Sequence, residues 1–279
     1  MRSYARGHRT AQGRYEWSSD WDGVGMKIVV LLKEVPDPNA VRYDPRLGDL
    51  VPGIQRVANE YDLYALEAAL RLREQVGGEV VVASVGPARD ALNRALAMGA
   101  DRAVTLEGEA LPGDAWTTAR ALVAWLQREQ PDVIWCGQET SDSGTGNVGP
   151  AVAAQLDLPL VSNVVGWEFR DRVFEIEREI EDGHQFQEVA PPVVLCALSA
   201  LPQPRLPTLR GIMDARRKPV ERLTAADLGL SDDALQPLVQ WEGLSQPVAK
   251  AAGVVVQDVP PDEAVERLLT FLESRGLLG

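Results

Sequence analysis

The chain has 279 residues, 45% of them hydrophobic and 25% charged, which excludes a polypeptide disordered as a whole. Its 41 acidic against 28 basic residues give a net charge of −13, which argues against a protein whose main task is to grip nucleic acid. No apolar run approaches the ~20 residues that span a bilayer. Two cysteines and two histidines leave no disulfide framework, metal cluster or His-based relay to expect.

Residues 1–25 contain no apolar h-region, and Glu16, Asp20 and Asp22 break the acid-poor pattern of a mitochondrial transit peptide. They read as a disordered or non-native extension, with the folded domain opening at Met26. From there a strand–helix rhythm sets in. Residues 27–35 form a continuous apolar run of strand length, as buried parallel strands do. Asn59 is placed to cap a helix reaching about Gln75, with Leu63, Leu66, Ala69 and Leu70 on one face and Gly77-Gly78 ending it. A strand over 79–86, a short helix over 87–99, a strand over 101–108, a helix over 114–130, a strand over 131–137 and a helix over about 146–156 follow. That alternation predicts an α/β fold with a parallel, doubly wound sheet.

The pattern then changes. Residues 164–189 alternate apolar and polar residues around Arg170-Asp171-Arg172 and Asp182-Gly183, which predicts an antiparallel meander with one wet face. Residues 191–198 return to a buried strand, 201–207 are rich in proline, and 208–218 read as a short cationic helix. Beyond Pro219 periodicity fades until an amphipathic helix over 262–275. The expected organisation is an extension at 1–25, a nucleotide-binding α/β domain at 26–218, and an extended C-terminal arm at 219–279 that packs on another subunit.

Chemistry points first to GQETSDSGTGNVGPAVA, residues 137–153, which leaves the carboxyl end of a parallel strand and enters a helix. Gly144, Gly146 and Gly149 spell G-x-G-x-x-G, but six residues separate them from the strand and the unit is the fourth, not the first, so the dinucleotide fingerprint does not apply. What remains is a loop whose glycines admit an anion, a helix N-terminus with free N–H groups, and hydroxyls at Ser141, Ser143 and Thr145. The alternative is an ordinary Gly-rich loop. There is no G-x-x-x-x-G-K-[ST] loop for hydrolysis of a nucleoside triphosphate. Asn59 and Asp62 face the same end of the sheet. Leu201, framed by prolines beside a basic helix, reads as an exposed contact residue, or else as a leucine packed inward. No catalytic pair of carboxylates stands out, and Cys136 and Cys196 read as core.

Together these stretches resemble the β subunit of electron-transfer flavoprotein. The likeness covers about residues 26 to 275 and rests on KIVVLLKEVPDPNA, VGPARDALNRALAMGADRAV, GQETSDSGTGNVGPAVAAQLDLP, EREIEDG and, most specifically, LPQPRLPTLRGIMDARRKP. The resemblance implies an adenine-nucleotide α-hydrolase-like fold and a heterodimer with an α subunit. It also implies a structural AMP in this chain, and an FAD held mainly by the α subunit and enclosed partly by this one. Implied partners are acyl-CoA dehydrogenases and similar flavoenzymes as electron donors and a quinone oxidoreductase as acceptor. The setting would be the cytoplasm of a bacterium or the mitochondrial matrix of a eukaryote.

By position, the resemblance implies that the AMP site includes Leu31, Asn59, Glu60, Tyr61, Asp62 and Val85. It adds the loop and helix start formed by Asp142, Ser143, Gly144, Thr145, Gly146, Asn147, Val148, Gly149, Pro150, Ala151, Val152 and Ala153. Val35, Pro36, Asp37, Pro38 and Asn39 would approach the flavin, and Leu201 would anchor a recognition loop in a dehydrogenase. Asn147 stands where a glutamine is usual, and Asp214 where a lysine is common. Two alternatives stay open: a stand-alone adenine-nucleotide sensor, and an electron-bifurcating β subunit with a second FAD in place of AMP.

Overall fold

Continuous apolar runs become strands here because both of their faces are covered. In the computed structural model, β1 (Met26–Leu31), β2 (Gly78–Val85), β3 (Arg102–Glu107) and β4 (Val133–Gly137) lie parallel in the order β4-β1-β2-β3. Successive residues of β1 feed two different cores. Ile28 and Val30 face a layer that contains α1 (Glu60–Val76) and α2 (Arg89–Met98), while Val29 and Leu31 face one that contains α3 (Ala115–Glu129) and α4 (Val148–Leu156). A strand buried on both sides has no polar positions to alternate, hence the unbroken apolar sequence. The structure describes residues 25–108, 111, 113–240, 245 and 253–278, with the backbone of a small antiparallel pair, Gly7–Arg9 with Tyr15–Trp17. The expectation of a disordered extension at 1–25 otherwise lies outside the described residues.

The meander extends the sheet. β5 (Leu160–Arg170) starts parallel to β8 (Val193–Ala197), then slips register near Val164 and continues antiparallel to β6 (Val173–Ile180), which pairs with β7 (Gly183–Val189). Aromatic packing ties this end to the main core. Trp167 lies with its ring centroid 6.2 Å from that of buried Trp135 and 6.0 Å from Phe174, and Phe169 is 4.7 Å from Phe174. Such tilted ring pairs add ~1 kcal/mol each beyond their buried area.

At the other edge the structure differs from the sequence expectation. The loosely patterned segment after 218 does not leave the domain. β9 (Val220–Thr224) pairs parallel to β3, and beyond it Leu228 and Leu235 are buried beside α3 and β3. An edge strand joins the ladder through its backbone, and VERLT keeps mostly exposed side chains, so no apolar run announced it. The sheet order is therefore β7-β6-β5-β8-β4-β1-β2-β3-β9. The compact unit runs to Gly243, with Leu244–Gly279 a second unit. The latter contains α6 (Pro261–Ser274), whose Val265, Leu268, Leu269 and Phe271 are all exposed. In the first unit, α5 (Leu209–Ala215) packs on α2 so closely that a Cβ on Gly211 would lie 2.3 Å from the Ala97 carbonyl oxygen. Among the described residues, no helix is long and apolar enough to cross a membrane.

Candidate functional site

The strand ends define where a ligand fits. β4 and β2 flank β1, and their carboxyl ends open into a cavity of about 430 Å³. Leu31, Ala83, Val85 and Cys136 supply its apolar floor, the first turn of α3 one side, and residues 137–149 with the start of α4 the other. This is the carboxyl edge at which open α/β sheets bind ligands.

Side chains from elsewhere in the chain hold the loop in place. Asp62 sits in the first turn of α1 and is buried. Its two oxygens accept from the backbone N–H of Lys33 at 2.8 Å and of Gly137 at 2.9 Å, fastening the exits of β1 and β4 together. A Cβ on Gly137 would come within 2.4 Å of that carboxylate, so the contact requires glycine. Burial pushes the Asp62 carboxyl up to about 7, against the pull of its N–H donors. Asn59 is the N-cap residue of α1, yet its side chain does not cap the helix. Its Nδ2 donates to the Glu139 carbonyl at 2.9 Å and its Oδ1 accepts from the Ser141 N–H at 3.2 Å, stapling the loop instead. Lys33 Nζ pairs with Asp142 at 2.7 Å, and Thr140 Oγ1 donates to the same carboxylate. Burial alone would raise the Asp142 carboxyl, but these donors outweigh it and hold it below the ordinary range.

Held this way, the loop delivers an uncapped helix N-terminus to the cavity. Asn147 precedes α4 without a side-chain cap, and Asn147, Val148 and Gly149 line the cavity with Ser143, Thr145 and Gly146. Free first-turn N–H groups and the helix dipole favour an anion there. Gly149 serves packing. A Cβ would lie 2.8 Å from Cys136 Sγ and 2.9 Å from Cys196 Sγ, so α4 approaches β4 and β8 only because this residue has none. The two sulfurs are 3.5 Å apart and buried, and their hydrogen bond together with burial pushes the Cys136 thiol up, away from nucleophilic reactivity.

The structure thus brings Leu31, Asp62, Val85, Ser143, Thr145, Gly146, Asn147, Val148, Gly149 and Ala151 to one cavity. It does not put Asn59, Glu60, Tyr61, Asp142, Gly144, Pro150, Val152 or Ala153 on the wall. Asn59 and Asp142 fasten the loop, and Val152 and Ala153 are core. The residue reading missed Lys33, Ser84, Asp114, Trp116, Leu238 and Val239, all of which line the cavity. Ser84 is 2% exposed, and its Oγ has no hydrogen-bond partner among the described residues. Strand alternation turns this hydroxyl with Val80 and Val82 toward the α1 and α2 layer, away from the floor that Ala83 and Val85 supply. Only the register of β2 sets its direction, so no local motif could have marked it.

Two further expectations meet the structure here. Glu34–Pro36 forms a ribbon with Arg56–Ala58, held by the Glu34 carboxylate, which caps α2 by accepting from the Asp90 and Ala91 N–H groups at 2.9 Å each. Within 35–39, Val35 is 1% exposed, so only Pro36 to Asn39 reach the surface. Leu201 is not an exposed anchor: it is 3% exposed and belongs to the core beneath α1. Arg205 clamps the following residues to α1 by donating to Glu67 at 2.8 Å and Glu74 at 2.5 Å. What the stretch exposes is Leu206 at 79% and Leu209 at 77%, with Ile212 and Met213 alongside.

Among the described residues no group of three or more His, Cys, Asp or Glu side chains is placed to hold a metal. A mostly parallel sheet flanked by helices, with a cavity at its carboxyl edge, makes this a protein of the α/β class. The electron transfer flavoprotein domain matches residues 53–228. The electron transfer flavoprotein subunit beta of Thermoanaerobacterium thermosaccharolyticum is 40% identical over 91% of this chain and all of its own length. The caffeyl-CoA reductase-Etf complex subunit CarD of Acetobacterium woodii is 34% identical over 91% of this chain and all of its own. Protein FixA of Azorhizobium caulinodans is 36% identical over 74% of this chain and 78% of its own. The chain belongs to the electron transfer flavoprotein family, with the role of its β subunit. Association with a flavin through an α-subunit partner follows from that membership.

Proposed function

We propose that this β subunit binds one AMP as a structural ligand in the cavity at the ends of β1, β2 and β4. The observation that carries the reading is the uncapped N-terminus of α4 facing an apolar floor. The phosphate would be held by the first-turn N–H groups of α4 and the hydroxyls of Ser143 and Thr145, with Lys33 nearby as a cation. Leu31, Val85 and the start of α3 would receive the adenine. The nucleotide does no chemistry. Its bound phosphate fixes the loop, and with it the surface that the chain offers its α partner.

The FAD, held mainly by the α subunit, supplies the electron chemistry when bound. This chain contributes walls. Pro36 to Asn39, on a ribbon pinned by Glu34, would close over the flavin, and α6 with its exposed apolar side would pack on the α subunit. Donors would be acyl-CoA or related dehydrogenases and the acceptor a quinone oxidoreductase, in the cytoplasm. Docking falls to Leu206, Leu209, Ile212 and Met213, because Leu201 is core.

The test is to release ligands from the purified αβ complex by denaturation and identify them by mass spectrometry. About one AMP per β chain is expected, with FAD matching the α chain. A second FAD per heterodimer would instead support the bifurcating reading, and no nucleotide beyond the α-bound FAD would remove the site.

A further inference from the structure

We propose that Leu238 and Val239, on the strap of residues 236–239, form the wall against which the nucleotide base packs, and that Asp114 is the positioning residue that holds this strap in place. The inference rests on the AMP reading above and goes beyond it, since nothing in the phosphate loop involves this segment.

One carboxylate does two jobs. Asp114 is the N-cap of α3: Oδ1 accepts from the Thr117 N–H at 2.8 Å. Its Oδ2 accepts from the N–H of Leu238 at 2.8 Å and of Val239 at 3.0 Å, more than a hundred residues further along the chain. A second anchor lies just upstream. Leu235 is 1% exposed against α3, and the buried Thr117 Oγ1 donates to its carbonyl at 3.5 Å. Between these points the chain is led past the mouth of the cavity, and Leu238 and Val239 line it.

Their exposure is what calls for a ligand. Leu238 is 73% exposed and Val239 56%, and Trp116, from the first turn of the same helix, is 38% exposed and lines the cavity with them. The apolar side chains gathered here face a wall built from Ser143, Thr145 and the N-terminus of α4. A molecule with an anion at one end and a flat ring at the other satisfies both walls. Ring against aliphatic and indole surface is the usual apolar half of a nucleotide site.

The test uses the full-length chain and equilibrium dialysis against AMP and against ribose 5-phosphate, which lacks the ring. Asp114→Asn keeps a side chain that caps a helix as well as Asp does. It leaves one acceptor oxygen for two sets of N–H donors, so the cap survives and the strap is released. Leu238→Ser/Val239→Ser alters only exposed side chains and removes the wall directly. Both variants are expected to weaken AMP by about tenfold or more, the loss of one well-packed contact, while ribose 5-phosphate binds all three proteins alike. AMP affinities within twofold of the parent chain would overturn the strap. So would an equal loss for both ligands, which would make Asp114 merely structural. If Asp114→Asn lowers the thermal midpoint, the double serine variant decides. A parent chain that binds no AMP at all would instead remove the nucleotide reading on which the strap rests.

Discussion

Residues 137–149 and 199–218 are the two irregular stretches with the strongest sequence signals, and the fold holds them by opposite means. The first is fastened by polar side chains from outside it. Asp62 takes its opening N–H, Asn59 grips its middle, and Lys33 pairs with Asp142. No side chain of the loop up to Thr145 is buried, and the uncapped start of α4 is left for a ligand. The second stretch is fastened by one of its own leucines, Leu201, sunk in the core, and by Arg205 forked onto Glu67 and Glu74. What it leaves to solvent is an apolar strip of Leu206, Leu209, Ile212 and Met213 beside cations such as Arg210. A loop held by foreign polar groups makes a binding site. A loop held by its own apolar anchor makes a surface.

The largest test of that contrast is Leu201→Ala. A core leucine truncated to alanine costs 2–5 kcal/mol. Chemical denaturation should therefore show a loss of about 3 kcal/mol, with apparent KM for a dehydrogenase little changed at temperatures where the variant is folded. A lowered docking affinity without loss of stability would return Leu201 to the surface.

Next in size is the pH behaviour of Asp62. Its folded pKa of about 7 lies above the ordinary 3.8, so between about pH 4 and 7 the native chain binds more protons than the unfolded one. Stability from this group is therefore present at low pH and lost as pH rises through 7. Carboxylates held low by partners act in the other direction, losing their contribution as pH falls below the ordinary 4.5 for Glu67 and 3.8 for Asp142. Relative to Asp62→Asn, the parent chain should lose about 2 kcal/mol of advantage between pH 5 and 8. A pH-independent difference between the two midpoints would show the carboxylate already ionised at pH 5.

Smaller is the expected effect at the exposed strip. Leu206→Ala and Leu209→Ala should each raise a dehydrogenase's apparent KM for the αβ complex several-fold and jointly about tenfold, which is about 1.4 kcal/mol. Thermal midpoints should move by less than the assay error, because both side chains lie in solvent. A destabilised but fully functional pair of variants would place the docking surface elsewhere.

Most of the sheet was legible because burial on two faces writes itself as unbroken apolar runs, and the helix faces through Leu63, Leu66 and Leu70 follow from spacing alone. The edge strand at Val220–Thr224 was not, since its partner contributes backbone only. The glycines of residues 137–149 were visible as residues, but their reasons differ. Gly149 answers to two sulfurs on other strands, which no local pattern contains. Asp114 gains meaning only from the direction of the returning tail. For Leu201 the prolines signalled a constrained loop correctly while saying nothing about the side on which the leucine lies.

Asn59 is where sequence and structure name the same residue for different reasons, and one substitution separates them. As an N-cap, Asn59 is replaceable by serine, which caps α-helices equally well. As a staple it is not, because the shorter side chain reaches neither the Glu139 carbonyl nor the Ser141 N–H, now held at 2.9 and 3.2 Å. If capping were its role, Asn59→Ser would leave stability and nucleotide content unchanged. The geometry favours the other outcome: two neutral hydrogen bonds lost, worth ~1 kcal/mol in sum after water replaces part of them, and a loop free to move. We expect AMP affinity to fall about fivefold, and amide exchange to quicken over 139–145 with α1 still protected. Faster exchange in the first turn of α1 and a quiet loop would restore the capping role. It would also show that Asp62 and Lys33 suffice to hold the loop.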